Sequence, residues 1–182
     1  MPAKRLKQGQ SAPEFETNDI QGNPANPRSA SEFILLSFFR YASCPLCNLG
    51  VRELINRHDE LRKNNIKVLA VFQSPREKVL HYVGKQHPPF QIIPDPEKRL
   101  YKMYAVESSW LGFFKAWSVG INKVVKAVIG NGFLPGSVEN ELHRIPADFV
   151  IDNNGVLVSV YYGSDIGDHI PIAHLLNLAK SH

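Results

Sequence analysis

Two nearly unbroken apolar runs dominate the hydrophobic pattern of the chain. Residues 32–39 read EFILLSFF and residues 66–72 read IKVLAVF. Runs of this length between polar segments predict strands buried on both faces, as in the parallel part of a sheet. Between them, Cys47, Val51, Leu54, His58 and Leu61 recur at steps of four, three, four and three. That spacing places them on one helical face. Arg52, Glu53, Arg57, Glu60 and Arg62 fall largely elsewhere. The predicted helix starts at Cys44 or Pro45, because a first helical turn does not use the N–H that proline lacks. It runs to Lys63 and stops at Asn64-Asn65.

The remaining pattern is shorter-range. The first thirty residues are rich in Pro, Asn, Gly and Ser and predict turns around a hairpin, Phe15 to Thr17 and then past Gly22. Ser74-Pro75 opens a predicted helix to about Lys85, with Ser74 as its cap. Phe90 to Ile93 reads as extended, and Pro96 to Tyr104 as a short helix. Ala147 to Ile151 and Val156 to Tyr162 form a predicted antiparallel hairpin joined by Asp152-Asn-Asn-Gly155, and Ile170 to Lys180 a closing helix. From Val106 to Gly130 apolar residues, including Trp110, Phe113 and Trp117, keep helical spacing. One or two amphipathic helices, bent near Gly112 or Gly120, are expected there. A dimer interface, and hence a homodimer, or an apolar wall beside the active site are the alternatives. Two parallel strands with helical crossovers, then two antiparallel ones in the same sheet, make an α/β protein of thioredoxin-like order. Residues 1–182 are expected to form one such domain: a central mixed sheet flanked by helices, with an N-terminal hairpin and a helical insertion near 106–140.

Composition narrows the setting. With 182 residues and 43% hydrophobic content the chain can bury a sizeable core. The net charge of +4 is spread along the chain, so no basic arm for nucleic acid is expected. No apolar stretch reaches the roughly 18 residues of a membrane span, and none follows the basic start as in a secretory signal. A cytoplasmic location, with no membrane partner, is therefore expected, and there a structural disulfide is not. Both cysteines lie three residues apart, so no four-cysteine zinc site can form within the chain.

The pair itself carries the chemistry. Phe38-Phe-Arg-Tyr-Ala-Ser-Cys-Pro-Leu-Cys47 joins a buried strand to a helix start. Unpaired N–H groups and the helix dipole favour a thiolate there. Three-residue spacing places two sulfurs on one side of the first turn, within reach of a disulfide. Cys47 lies on the buried face, so Cys44 is expected to be exposed and to attack, with Cys47 resolving. Arg40, four residues before Cys44, is a candidate for stabilising the thiolate or binding an acidic substrate group. Its alternative is an ordinary surface arginine. Pro146 immediately precedes the third long strand, and the resemblance to thioredoxin-like folds implies a cis peptide bond there, packed against the cysteine turn. An antiparallel fourth strand returns the 161–169 segment to that end of the sheet. Asp165, Asp168 and His169 thus become candidates for substrate binding or proton transfer. Helix capping is the competing role for Asp168.

Ala12-Pro-Glu-Phe15, the Cys44 region, Pro94-Asp-Pro-Glu-Lys-Arg-Leu-Tyr-Lys-Met-Tyr104 and Phe149-Val-Ile-Asp-Asn-Asn-Gly155 resemble the peroxiredoxin-like branch of the alkyl hydroperoxide reductase/thiol-specific antioxidant (AhpC/TSA) family. The resemblance implies a thioredoxin fold and an antioxidant activity that reduces peroxides or disulfides. Two departures stand out. The family's Pro-x-x-x-Thr/Ser-x-x-Cys pattern would put Arg40 at the proline, Cys44 at the Thr/Ser and Cys47 at the attacking cysteine. The family's arginine before the Phe-Ile-Ile-Asp strand falls near Pro146, with Arg144 two residues earlier. Burial favours attack by Cys44, and the family pattern favours Cys47. No Gly-x-Gly-x-x-Gly occurs, so no nicotinamide or flavin cofactor is expected. Electrons would come from a thioredoxin, a glutaredoxin or a small thiol. Two other readings compete. One is a redox sensor in which the disulfide moves the 106–130 segment. The other is a Cu(I) chaperone using both cysteines and His143.

Overall fold

The computed structural model describes residues 4–29, 31–106, 145–165 and 167–181. The short hairpin β1 (Thr17–Asn18) and β2 (Pro24–Ala25) turns at Gly22, whose φ of 92° suits glycine. The main sheet contains β3 (Phe33–Phe38), β4 (Ile66–Phe72), β5 (Gln91–Pro94), β6 (Ala147–Ile151) and β7 (Leu157–Tyr162) in the order β5-β4-β3-β6-β7. β3, β4 and β5 are parallel, and β6 and β7 are antiparallel additions. This is the α/β thioredoxin-like architecture expected from the sequence.

The apolar runs are continuous because both sheet faces are covered. Ile34, Leu36 and Phe38 point into one core with Tyr101, Tyr104 and Phe149. Leu35 and Phe39 point into the other, with Val51, Leu61 and Leu175. Alternation along a strand thus feeds two cores at once. Each fully buried aliphatic or aromatic side chain contributes about 1.5–3 kcal/mol. Ser37 interrupts the run on the helix-covered side of β3. It sits directly opposite Asp148 of β6.

Between β3 and β4 run α1 (Pro45–Asn56) and α2 (His58–Lys63). The single predicted helix is interrupted at Arg57, with φ −106° and ψ 6°. The Arg57 N–H still bonds Glu53 and the Leu61 N–H bonds Arg57, so the axis continues with a local irregularity. Cys47, Val51, Leu54 and Leu61 are buried, as their spacing implies, while His58 is half-buried near the Phe90 ring.

α3 (Arg76–Tyr82) is shorter than predicted and passes into a 3-10 turn at Gly84–Gln86. Its cap residue is Pro75, not Ser74. The Ser74 hydroxyl accepts the N–H of Ala42 at 2.9 Å instead. α4 (Arg99–Met103) and α5 (Ile172–Ser181) complete the described elements. The expected helices of 106–130 and the wider 106–140 insertion lie outside the described residues, apart from buried Val106.

Pro146 follows a trans peptide bond, not the cis bond expected. Its carbonyl accepts the N–H of Gly163 at 3.0 Å, so the ladder between β6 and β7 extends across the strand entrance and holds it. Gly163 itself is required there. A Cβ would collide with the Asp168 carbonyl oxygen and lie 3.1 Å from that of Pro146.

Candidate active site

The β3–α1 connection is fixed from several sides before it reaches the cysteines. The Asp95 carboxylate accepts the N–H groups of Arg99 and Leu100 and so starts α4. That seats Tyr101, whose hydroxyl donates towards the carbonyls of Phe39 and Val71 at 2.5 and 3.0 Å. The Gln73 N–H bonds the Arg40 carbonyl, and Ser74 holds Ala42. From α1, the buried Asn48 amide donates to the carbonyls of Ala42 and Cys44 at 2.7 and 2.9 Å. Gln86 in turn donates to the Asn48 side-chain oxygen at 2.8 Å. Sequence reasoning passed over Asn48. Its only signal was a polar residue next to the buried helical stripe.

Cys44 is the cap residue of α1, with extended backbone angles, and Pro45 opens the helix. Both cysteines are free thiols. Cys44 is 2% exposed and Cys47 3%, so the expectation of an exposed Cys44 is corrected. The clamps described above draw its turn inward together with the helix start.

The two sulfurs are nevertheless unequal. The Cys47 thiol donates to Cys44. Burial opposes ionisation of Cys44, but the Arg40 charge and the N–H groups of Cys47 and Leu46 favour it. Together they pull the Cys44 pKa down to about 6. Cys47 is pushed well above the ordinary thiol value, first by burial and then by its bond to Cys44 and the charge there. Arg40 is buried, at 3% exposure, and its Nη1 lies 3.7 Å from Cys44 Sγ. Its guanidinium carbon also lies 5.0 Å from the Tyr41 ring centre. It is a buried neighbour of the thiol pair, not a surface arginine.

The 163–170 segment divides the other three candidates. Asp168 accepts the Tyr161 hydroxyl at 2.7 Å, and the N–H and hydroxyl of Ser164 at 2.7 and 2.8 Å. Asp165 accepts the Gly167 N–H at 2.9 Å. Both carboxylates therefore shape the loop. His169 alone turns inward, with its Nδ1 at 3.0 Å from the Asp148 carboxylate. Asp148 is fully buried and also accepts the Ser37 hydroxyl at 2.6 Å and the Ile170 N–H at 2.7 Å. Burial works against a charge on His169, but the charge and hydrogen bond of Asp148 outweigh it, with help from Asp168 and Glu53. The His169 pKa is accordingly raised above the ordinary histidine value.

Asp148 was not among the residues expected from sequence. Its signal was an acid inside the apolar run Ala147–Ile151. Beside this pair, between α1 and α5, lies a cavity of about 300 Å³ reached by Leu46, Gly50, Glu53, His169 and Ile172. No group of three or more His, Cys, Asp or Glu among the described residues is arranged to hold a metal. His143 lies outside them. Among the described residues no helix is long and apolar enough to cross a membrane.

Known proteins share this fold. The curated Peroxiredoxin Bcp of Escherichia coli (strain K12) is 24% identical over 178 residues, covering 97% of each chain. The crystal structure of Peroxidoxin BcpB from Mycobacterium tuberculosis superposes with a TM-score of 0.69 at 14% identity, covering 97% of this chain and 98% of that one. A peroxiredoxin-like protein from Aquifex aeolicus gives 0.70 at 14% identity, over 99% and 90%. A structure described as a putative thiol:disulfide interchange protein DsbE from Chlorobium tepidum gives 0.64 at 14% identity, over 97% of both chains. Residues 8–160 match the AhpC/TSA family. With that match spanning most of its length, the chain belongs to the AhpC/TSA family, a peroxiredoxin-like branch of the thioredoxin-like superfamily, and carries its cysteines as a Cys-x-x-Cys pair.

Proposed function

We propose that the protein is a thiol-dependent oxidoreductase that reduces a peroxide through Cys44 and Cys47. The observation that carries this reading is the asymmetry of the pair. Cys44 is lowered to about 6, first by the hydrogen bond from Cys47 and then by the Arg40 charge, and Cys47 is raised. At pH 7 a group with a pKa of about 6 is ionised roughly ten to one. The Cys44 thiolate attacks one peroxide oxygen and the O–O bond breaks. Cys44 becomes a sulfenic acid, and the other oxygen leaves as water or an alcohol after taking up a proton. Cys47 then attacks the Cys44 sulfur, and water leaves as the disulfide forms. An external thioredoxin or glutaredoxin dithiol, or two molecules of a small thiol, restores both thiols and is itself oxidised to a disulfide. Arg40 supplies positive charge where the family's usual arginine is displaced.

Stopped-flow loss of thiol with hydrogen peroxide and with an organic hydroperoxide tests this in the wild type, Cys44→Ser and Cys47→Ser. Fast loss retained in Cys47→Ser and abolished in Cys44→Ser is expected. The opposite pattern would make Cys47 the attacking residue, as the family spacing has it. Loss no faster than that of a free thiol would remove the peroxidase reading. Disulfide reduction would then lead, a reading favoured by the Cys-x-x-Cys spacing and the inequality of the two thiols.

A further inference from the structure

The cavity between α1 and α5 holds polar groups that the dithiol chemistry leaves unused. Asp148 is fully buried and bonded to Ser37, Ile170 and His169. It pins His169 through Nδ1, and among the described residues Nε2 makes no hydrogen bond. The ring lies between Phe39, just past the end of β3, and α1: its centre is 4.5 Å from that of Phe39, and a Cβ at Gly50 of α1 would stand 3.8 Å from its Cδ2. Gly50 permits this approach, since that Cβ would also press to 2.9 Å from Phe39. One turn along α1, the exposed Glu53 carboxylate stands at the rim. Most of the remaining wall is aliphatic, with Leu46, Leu49 and Ile172 prominent. An apolar chamber with a few convergent polar groups is the ordinary form of a small-molecule site.

Charge selects the occupant. Asp148 and Glu53 bring two carboxylates, and His169 at most one positive charge. No lysine or arginine lines the chamber among the described residues. Asp168, the other acid near His169, is held outside by Tyr161 and Ser164. The site therefore carries an uncompensated negative charge. An anion would increase that imbalance, and a cation reduces it.

We propose that this cavity is a binding site, separate from the dithiol, for a small aliphatic ammonium compound. Its chain lies along Leu46, Leu49 and Ile172, and its head group donates to His169 Nε2 and to Glu53. Binding this cation requires His169 to be neutral. Affinity therefore rises with pH through the titration of His169, and one proton is released on binding below it.

Calorimetric titration of the reduced protein with hexylammonium chloride tests the proposal, with hexanol and hexanoate as controls. Histidine proton NMR follows His169 in the same samples. Binding is read without any redox step, so loss of peroxidase activity leaves the outcome untouched. Hexylammonium should bind at least tenfold more tightly than hexanoate or hexanol, shift the His169 signals, and bind more tightly at higher pH. Glu53→Gln, at an exposed position, should weaken it about threefold to tenfold. His169→Gln should abolish the pH dependence. Equal or tighter binding of hexanoate or hexanol, hexylammonium binding that ignores Glu53→Gln, or no saturable binding of hexylammonium would each overturn the proposal.

Discussion

Replacing Arg40 by methionine should change the order of reactivity at different pH values, more than the rate at any one of them. Arg40 Nη1 is 3.7 Å from Cys44 Sγ, and both groups are buried. At an effective dielectric constant of about 20, two unit charges at that separation interact by about 4 kcal/mol, an upper bound for a delocalised guanidinium. A carboxylate beside an arginine typically shifts by about 1–3 pKa units. With Cys47 and the helix N–H groups still in place, a rise of about two units for Cys44 is expected, from about 6 to roughly 8. At pH 7 that lowers the thiolate fraction about tenfold. A more basic thiolate is intrinsically more nucleophilic, with a Brønsted slope of about 0.4–0.5, which returns roughly eightfold. The two nearly cancel near neutrality. At about pH 6 the variant should be roughly sixfold slower, and at about pH 9 roughly sevenfold faster. Thiolate absorbance gives the midpoint directly, and iodoacetamide labelling across the pH range gives the rates. Both are best measured with Cys47 present and fully reduced, the Cys44 label being read by peptide mass, and compared with Arg40→Lys, which keeps the charge and should stay near its parent. An Arg40→Met midpoint indistinguishable from its parent, or a variant slower at every pH, would refute the assignment of Arg40 to thiolate stabilisation.

Two further substitutions follow from the same geometry. Asn48→Ala removes both donors that hold the Ala42 and Cys44 carbonyls. It should lower stability in urea by about 1–3 kcal/mol and make the labelling of Cys44 less selective over Cys47, whereas unchanged stability would show those carbonyls to be satisfied otherwise. His169→Gln should destabilise most in mild acid. A histidine whose folded pKa is raised contributes fully below its unfolded value of about 6.5, and that contribution disappears as pH rises through the folded value. The gap between wild type and variant in urea melts should therefore be widest below about pH 6.5 and shrink as pH rises above it, and a gap that widens with rising pH contradicts the Asp148–His169 pair.

What the sequence disclosed and what it hid follow from the range of the interactions involved. β4 lies where its apolar run predicted, because a strand buried on both faces writes its boundaries into consecutive residues. The Cys44–Cys47 turn was legible for the same reason: strand, proline and helix face are all local. Ser74 was legible as a polar residue before a helix, but its partner proved to be Ala42, 32 residues earlier. Asp148 answers to Ser37, 111 positions away, and to His169. No periodicity encodes such pairs, and only the register of β3 against β6 creates them. Pro146 misled in another way. Its position matched the fold, but its backbone is held by Gly163 from across the hairpin.

The burial of Cys44 has a kinetic meaning. A sulfur that is largely ionised near neutrality is intrinsically fast, yet at 2% exposure almost none of it meets solvent. Its observed rate with any reagent is then the product of two factors, the fraction of time the turn is open and the rate of attack once it is. When closing outpaces attack, every reagent is slowed by the same opening constant, and the ranking of electrophiles is preserved. When attack outpaces closing, all reagents converge on one rate, set by the release of Asn48, Ser74 and Gln86 from the turn. The concentration at which a peroxide stops accelerating the reaction would thus measure the lifetime of the open turn.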